Sequence, residues 1–331
     1  MVYYTESSHT DPYRNLALEQ FVFDRLDKNN SYFMLWQNYN SIIVGKHQNT
    51  LEEINAAFVK ERNIAVARRL SGGGAVYHDL GNLNYTFISS LEKTGETDFS
   101  VFCEPIKKAL RSFGVAAEIS GRNDMTIGGK KFSGNARYIK NGRIMHHGTI
   151  LYDSDLDVLS RALGPGSDKL ESKGIKSVKS RVTNIRPYMK TDMDTREFWD
   201  ALRDYLFTAF DMREYVLTPG QNAEVEELRE KVYSQWSWNY GHSPPHTARK
   251  TRRFEGCGKI EIFLDIAKGG IINNIAFFGD FFGNRDPAGL ENLLKGHKLE
   301  RREINAVLGD VDISQYFQNL HNEDFLDLLL N

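Results

Sequence analysis

The sequence has 331 residues, of which 40% are hydrophobic, and its 42 lysines and arginines against 44 aspartates and glutamates give a formal net charge of −2. A chain of this length can bury a large core and has room for a second domain, whereas its slight acidic excess argues against a general nucleic-acid binder, which is normally basic. The first residues lack the basic start and apolar stretch of a signal peptide, and no run of about 18 apolar residues follows, so we expect a cytoplasmic protein without a membrane anchor.

The two cysteines, Cys103 and Cys257, lie far apart and form no CxxC pair. Disulfide frameworks and zinc sites need more cysteines, or cysteines at closer spacing. We therefore expect a reducing compartment, with neither a structural disulfide nor a zinc site.

The first 67 residues alternate between helical and extended patterns. They predict a helix that begins near Pro12, strands at 32–36 and 42–45, a second helix over 51–62 and a short buried strand at 64–67. Functional loops are common where a rigid strand ends. The residues directly after 67 are therefore the first place to look for a site.

A run of arginines and glycines follows that strand, and residues 68–79 read Arg-Arg-Leu-Ser-Gly-Gly-Gly-Ala-Val-Tyr-His-Asp. Because glycine has no Cβ, a backbone of three glycines can approach a ligand closely. The two arginines supply positive charge and bidentate donors, which suit a phosphate or a carboxylate. The spacing matches neither standard phosphate-binding loop, and a glycine-rich hairpin with solvated arginines remains an alternative.

A second polar block spans residues 121–151, and its centre, Asn141-Gly142, strongly predicts a β-hairpin with a type I′ turn. That turn sets a register in which 137 lies opposite 146, 135 opposite 148, 133 opposite 150 and 131 opposite 152. We expect one polar surface, with His147 replacing His146 if a glycine forms a bulge. Its members are Lys131, Ser133, Asn135, Arg137 and His146.

Lys131 is the most informative residue of this block, because glycines both precede and follow it. A lysine in such a setting can stabilise negative charge that develops on a ligand. The alternative is a solvent-exposed lysine on a hairpin.

The segment from 164 to about 183 shows no clear secondary structure, and between 169 and 184 it has five basic residues and one acidic residue. A loop of this length is typically functional or disordered. Helices are predicted next, from Asp194, where Glu197 gives a capping-box spacing, and from Gln221.

An aromatic and turn-rich stretch at 236–245 predicts a linker. We therefore place one domain at 1–247 and a second, small α+β domain at 248–331. The second domain begins with a predicted hairpin around Lys268-Gly269-Gly270 and ends in helical patterns. Nothing in it suggests a catalytic residue.

Four motifs together resemble the lipoate–protein ligase A family, in its two-domain bacterial form. They are the block at 68–79, Gly-Arg-Asn-Asp at 121–124, Lys-Phe-Ser-Gly-Asn-Ala at 131–136 and His-His-Gly-Thr at 146–149. The resemblance implies an α+β protein: a mixed β-sheet catalytic domain of the biotin/lipoate ligase fold, related to class II synthetase cores, plus a small α+β C-terminal domain. It also implies that lipoate and ATP give lipoyl-adenylate, whose acyl group then passes to a lysine of a lipoyl domain.

The resemblance implies a role for each matching residue. Lys131 would lie at the lipoate carboxylate and the α-phosphate, where two anions must be screened. Arg69 and Ser71 would lie beside the acyl carboxyl group and the phosphate. Asp124 would help to hold Mg²⁺, although Asn123 and Asp124 are equally consistent with a pair that caps a turn.

The other implied contacts form two sets. The hydrophobic tunnel for the lipoyl chain would be lined by Leu16 and Trp36, with Val76 as a further candidate. Contacts with ATP, the adenylate or lipoate would come from Gly72, Gly73, Gly74, Ala75, Val76, His78, Asn82, Asn123, Ser133, Ala136, His147, Gly148, Thr149, Lys179 and Arg181.

The resemblance also implies partners: free lipoate and the lipoyl domains of 2-oxoacid dehydrogenase complexes or the glycine-cleavage H-protein. Whether octanoate competes is open, and a monomer is the default. The alternative function is an octanoyl- or lipoyl-transferase of the same fold that uses a pre-activated acyl donor. Cysteine-dependent transferases need a thiolate at the acyl site, and both cysteines lie outside the four motifs.

Overall fold

The protein is described from a computed structural model, which covers residues 1–94, 99–121, 123–163, 181–241 and 247–330. The chain divides into two compact units. The first comprises Met1–Val44, Leu51–Arg69 and Ala75–Asn239, and the second comprises Gly45–Thr50, Leu70–Gly74 and Tyr240–Asn331. The domain boundary predicted near 247 directly follows residues 242–246, which lie outside the described residues, and it stays a prediction.

The strands of the first unit are β1 (Val2–Glu6), β2 (Ser31–Trp36), β3 (Ser41–Val44), β4 (Ala65–Arg68), β5 (Val76–His78), β6 (Asn82–Ser90), β7 (Glu118–Ser120), β8 (Asp124–Ile127), β9 (Lys130–Lys140), β10 (Arg143–Leu151) and β11 (Arg213–Glu214). Within the described residues up to 241 the helices are α1 (Pro12–Arg25), α2 (Thr50–Glu53), α3 (Ala56–Glu61), α4 (Leu91–Thr94), α5 (Phe99–Ser112), α6 (Leu156–Ala162), α7 (Thr195–Phe210), α8 (Pro219–Leu228) and α9 (Trp236–Asn239). The same part of the chain also has a 3₁₀ turn at Arg186–Tyr188 and a π-helical turn at Arg229–Tyr233.

The large sheet is mixed, and within the described residues its strand order is β11-β1-β2-β6-β10-β9-β8-β7. Strand β1 runs parallel to β2 and β11, whereas the other neighbours are antiparallel. A smaller sheet has the order β4-β3-β5 and brings the end of β4 beside β3. The predicted mixed sheet with flanking helices is confirmed.

Helices cover both faces of the large sheet. On one face, α5 and α7 enclose the main core, to which the sheet contributes side chains such as Phe33 and Tyr85. Helix α1 lies on the other face, where its Glu19 accepts a hydrogen bond from the Thr86 hydroxyl of β6. The α1 helix begins as predicted, because Asp11 accepts a hydrogen bond from the Tyr13 amide and Pro12 occupies the first turn.

The β9–β10 hairpin has the predicted turn and register. Asn141 and Gly142 have φ values of 51° and 73°, as a type I′ turn requires. Arg137 pairs with His146, Ala136 with His147 and Asn135 with Gly148. The hairpin signal in the sequence was therefore sufficient to place these strands.

One prediction about this hairpin is wrong. Strand β8 pairs Asp124 with Gly134 and Met125 with Ser133, but the next pair is Thr126 with Lys131, so Phe132 forms a bulge. The bulge lets the Phe132 side chain reach the core, where it is completely buried, and it turns Lys131 to the opposite face. Lys131 therefore does not share a surface with Ser133 and Asn135.

The second unit contains an antiparallel sheet of β12 (Ala248–Phe254), β13 (Gly258–Ala267) and β14 (Ile271–Gly279). Helices α10 (Pro287–Leu294), α11 (Arg301–Leu308) and α12 (Asn322–Leu330) pack on one face and close an apolar core. The predicted hairpin turns at Gly269 and Gly270, which both have positive φ. This unit is the small α+β unit predicted from the sequence, and among the described residues no helix has the length and apolarity needed to cross a bilayer.

Candidate functional site

The two faces of the β8–β9–β10 region carry different residues. Because side chains alternate along a strand, and because of the bulge at Phe132, five predicted site residues point to the side of α1. This surface, called the site face below, carries Asp124, Lys131, Ala136, His147 and Thr149, together with Gly134. The opposite surface, called the core face, carries Ser133, Asn135, His146 and Gly148.

An ion pair occupies the open end of the site face. The Lys131 ammonium lies 2.7 Å from Asp124 Oδ1, and both side chains remain about one-third exposed. The ammonium also lies above Gly134, 3.0 Å from where a Cβ would be. Gly134 thus leaves room for the lysine to cross its own strand and reach the carboxylate.

Deeper in the site face, a buried carboxylate holds a histidine. Glu19 Oε1 lies 2.8 Å from His147 Nδ1 and accepts a 2.7 Å hydrogen bond from Thr86. The Trp36 indole N–H donates to the same Thr86 hydroxyl. The predicted tunnel residue Trp36 is thereby joined, through Thr86 and Glu19, to the network that holds His147. Leu16 is buried on α1 one turn before Glu19.

Glu19 and Thr86 are members of this network that the sequence analysis did not single out. A glutamate among the apolar positions of α1 was the available signal, because a buried carboxylate must be paired or hydrogen-bonded. Thr86 gave no comparable signal, since threonine is common in strands.

His78 and Arg69 are both buried in the first unit. His78 Nδ1 lies 3.1 Å from the Asn38 amide, and Nε2 has no hydrogen-bond partner among the described residues. Burial, together with the nearby charges of Arg69 and His147, lowers the pKa of His78 to about 3. His78 is therefore neutral near pH 7, when it can accept or donate one hydrogen bond but carries no charge.

The two consecutive arginines have different surroundings. Arg68 donates from its guanidinium to the carbonyl groups of Trp238 and Asn239, so it anchors α9. Arg69 donates to the Ile43 carbonyl, and burial lowers its pKa to about 10 while the Glu19 carboxylate opposes that shift. Arg69 therefore lies close enough to Glu19 for the two charges to interact.

The glycine-rich loop belongs to the second unit, where a packing contact explains one of its glycines. A Cβ on Gly72 would overlap the carbonyl oxygen of Phe281, and that oxygen accepts a hydrogen bond from the Gly73 amide. Ser71 is buried, and its carbonyl accepts from the Lys46 amide, whereas Gly74 is exposed. The predicted approach of these glycines to an adenylate stays a prediction.

Several predicted ligand-binding residues instead belong to the core face. Asn135 accepts a 2.5 Å hydrogen bond from the Tyr85 hydroxyl and donates to Ser133 Oγ. A Cβ on Gly148 would collide with that Tyr85–Asn135 pair. Asn123 donates to the Asn135 carbonyl at 2.7 Å, so it joins the start of β8 to β9. The structure does not bring Ser133 or Gly148 together with the Lys131 side chain.

The remaining predicted residues are dispersed. Asn82 is buried and donates to Asn84 at 3.0 Å, and Ala136 lies opposite His147. Ala75 and Val76 are half-buried, and Arg181 is exposed. Lys179 and Arg122 lie outside the described residues, as do residues 164–180, which make up most of the basic segment predicted to be a loop.

The residues present suit a magnesium ion only in part. No group of three or more histidine, cysteine, aspartate or glutamate side chains converges on a metal position in the described part of the chain. Asp124 is a single carboxylate beside a cation. Magnesium commonly uses one or two carboxylates together with substrate phosphates and water, so Asp124 fits an ion that arrives with a nucleotide.

Two family models match the chain. Residues 11–207 match the lipoyl protein ligase A/B catalytic domain, and residues 243–329 match the bacterial lipoate protein ligase C-terminus. Between 11 and 329 the two matches leave residues 208–242 unassigned.

Curated relatives and solved structures agree with these matches. The chain is 44% identical to lipoate-protein ligase LplJ of Bacillus subtilis and 40% identical to lipoate–protein ligase 1 of Staphylococcus aureus, in each case over 99% of this chain and all of the relative. P. falciparum LipL1, solved with lipoate, superposes with a TM-score of 0.79 at 25% identity, over 100% of this chain and 98% of that one. A lipoate-protein ligase A bound with ATP has a TM-score of 0.61 at 26% identity, over 72% of this chain and 98% of the other.

Proposed function

This chain belongs to the lipoate–protein ligase family, and we propose that it activates free lipoate with ATP and then transfers the lipoyl group to a lysine of a lipoyl domain. The observation that carries the proposal is the Lys131–Asp124 pair on the site face. The Lys131 ammonium is a cation that can screen the lipoate carboxylate and the α-phosphate of ATP from each other. The Asp124 carboxylate beside it suits the magnesium ion that accompanies ATP.

In the first step, a carboxylate oxygen of lipoate attacks the α-phosphorus of ATP. A C(O)–O–P linkage forms, the bond from the α-phosphorus to the bridging oxygen breaks, and pyrophosphate leaves. Lys131, whose ammonium is partly exposed beside Asp124, is proposed to neutralise the carboxylate and the α-phosphate as they approach, with Arg69 as a second cation of the first unit. Magnesium, when bound with the nucleotide near Asp124, supplies further charge neutralisation.

In the second step, the neutral amine of the acceptor lysine attacks the acyl carbon of lipoyl-adenylate. The amide bond forms, the bond between the acyl carbon and the AMP oxygen breaks, and the amine releases one proton, which passes to solvent as AMP leaves. No nucleophile from this chain is needed. Both of its cysteines are buried, which agrees with direct transfer from the adenylate to the acceptor.

The substrates are inferred from the same pattern. We infer that the buried side chains of Leu16 and Trp36, the latter held by its hydrogen bond to Thr86, line the lipoyl site, whose mainly apolar ligand needs a hydrophobic channel. The acceptors are proposed to be lipoyl domains of 2-oxoacid dehydrogenase complexes or the glycine-cleavage H-protein. The active species is proposed to be a monomer.

The test is pyrophosphate release on mixing the protein with Mg·ATP and free lipoate, with and without an apo lipoyl domain. We expect release with lipoate alone, and a gain of one lipoyl mass on the acceptor lysine when the domain is present. Transfer from octanoyl carrier protein without any pyrophosphate release would instead identify a transferase and would overturn the proposal.

A further inference from the structure

The backbone of Lys131 has a second neighbour, on the side away from β8. Val182 forms a parallel bridge with Lys131, and the Thr183 amide donates a 2.9 Å hydrogen bond to the Lys131 carbonyl. The chain then continues along β10, where the Ile185 amide donates to the Leu151 carbonyl at 2.8 Å. Residues 182–185 therefore bridge the end of β10 and the start of β9.

This bridge matters because the bulge at Phe132 weakens the other backbone support of Lys131, which is the pairing of β9 with β8. At Phe132 the β8–β9 ladder shifts by one residue, so Lys131 lies beyond an interruption in the hydrogen bonding. Its ammonium must nevertheless lie over Gly134 and reach Asp124. The position of the Lys131 backbone thus depends on how firmly Thr183 is held.

Asn184 holds that segment by a two-bond contact. Its Nδ2 donates to the Ser154 carbonyl at 2.9 Å, and its Oδ1 accepts from the Ser154 amide at 3.1 Å. A side-chain amide is well matched to a backbone amide in this way, because it offers one donor and one acceptor. Asn184 thereby fixes its own backbone, and with it Thr183, relative to Ser154.

The Ser154 turn is itself firmly built. A Cβ on Gly81 would overlap the Asp153 carbonyl, so the turn packs directly on the Gly81 backbone. The Asp155 amide donates to the Asp79 carboxylate at 2.7 Å, and Ser154 is buried. Asp79 is the last residue of the block 68–79, and Gly81 lies just after it. The contacts described here give both residues a structural role, which is to support the Ser154 turn.

We propose that Asn184 is a positioning residue for Lys131 in the adenylation step. By joining Thr183 to the Ser154 turn, it keeps the Lys131 carbonyl in place and the ammonium directed along Gly134 towards Asp124. The inference rests on the proposed function, in which Lys131 screens the reacting anions. Misplacing such a group by about 1 Å can cost on the order of 10²-fold in rate.

Four proteins test this proposal in single-turnover adenylation with labelled ATP: wild type, Asn184→Ala, Lys131→Ala and the double variant. We expect Asn184→Ala to lower the rate of the chemical step by about tenfold or more, with little change in the lipoate concentration needed for half-saturation. In the Lys131→Ala background the same change should add less than about twofold, because residues that act as a unit are not additive.

The chain contains a matched control in the second unit. Asn322 donates to the Val311 carbonyl at 2.9 Å and accepts from the Ile313 amide at 3.1 Å, the same kind of two-bond contact. Asn322→Ala should lower thermal stability as much as Asn184→Ala but leave the adenylation rate unchanged. If Asn184→Ala does not fold, Asn184→Asp, which keeps the acceptor and loses the donor, takes its place.

The outcomes separate the two proposals. An equal loss from Asn184→Ala with and without Lys131, or no loss at all, would overturn the positioning role while the ligase function stands. An absence of pyrophosphate release by the wild type would overturn the function itself. A wild-type rate for Lys131→Ala would remove the premise that Lys131 screens the anions, and the positioning role with it.

Discussion

His146 and His147 are neighbours on β10, but they lie in opposite environments. His146 stacks on Phe102 with ring centroids 4.8 Å apart, and burial places its pKa well below the usual value. His147 lies on the site face, 2.8 Å from the Glu19 carboxylate. Because side chains alternate along a strand, one residue step separates a core histidine from one at the candidate site. Residue type alone therefore says little about role in this motif.

The same division applies to the facing strand. In the segment 131–136, Lys131, Gly134 and Ala136 point to the site face, whereas Phe132, Ser133 and Asn135 point to the core face. The core-face residues form hydrogen bonds or apolar contacts that fix the strands. On the site face, Lys131 has the charge and the partial exposure that contact with an anionic ligand needs.

The largest effect should come from the charge at the exposed end of the site face. Lys131→Ala is expected to slow adenylation on the order of 10²-fold or more, the scale for loss of one preorganised electrostatic group. Lys130→Ala is the control, because Lys130 is exposed and adjacent and should leave the rate unchanged. Rates of labelled lipoyl-adenylate formation give the comparison, and equal rates for the two variants would contradict the division into faces.

A glycine-to-alanine pair tests the two faces directly. In Gly148→Ala the new Cβ would collide with Asn135 Oδ1 and the Tyr85 hydroxyl on the core face, so we expect a loss of about 1–3 kcal/mol in the free energy of unfolding. In Gly134→Ala the Cβ would lie 3.0 Å from the flexible end of Lys131. The lysine can move, so stability should change little while adenylation falls about tenfold.

Denaturant unfolding and single-turnover adenylation distinguish these results. The free energy of unfolding should fall mainly in Gly148→Ala. The rate of adenylation per folded molecule should fall mainly in Gly134→Ala. If both variants lose stability equally and keep their adenylation rate, the site face does not differ in function from the core face.

The core face should also be visible in the pH dependence of stability. The pKa of His146 is lowered by burial, so below about pH 6.5 the unfolded chain takes up a proton that folded His146 does not. As the pH is lowered below that value, the free energy of unfolding should therefore decrease by about 1.4 kcal/mol per pH unit for each such histidine. His78, with a pKa near 3, adds the same slope down to about that pH.

His146→Phe should reduce this slope by the contribution of one proton, while the new ring still stacks on Phe102. The measurement is urea unfolding at several pH values between 4 and 7, chosen to cover the window below the ordinary histidine pKa of about 6.5. An identical slope in the wild type and the variant would show that His146 takes up its proton in the folded state.

Much of this arrangement follows from local sequence. The dipeptide Asn141-Gly142 sets a turn type, the turn sets the register, and the register places His146 and His147 on opposite faces. The four ordered motifs predicted a family that the family models and relatives confirm. These features were predictable because each depends on residues close together in the sequence or on the order of motifs.

The features that were missed depend on distant contacts. The bulge at Phe132 exists because the core accepts its ring, and a regular alternation at 131–136 gives no sign of that. The three glycines suggested a ligand, but Gly72 is explained by the Phe281 backbone, far along the chain. The role of Glu19 depends on its contacts with Thr86 and His147, which lie near α1 only in the folded protein.

The smallest effect is expected from the thiol on the core face. Cys103 is buried, with its Sγ 4.0 Å from His146 Nε2, and Cys257 is buried in the second unit. Neither lies on the site face. Changing both to alanine should therefore lower stability by about 1–2 kcal/mol through lost packing but leave adenylation and transfer unchanged. Loss of transfer with adenylation intact would mean that a thiol carries the acyl group, and one of the two buried cysteines would then have a catalytic role.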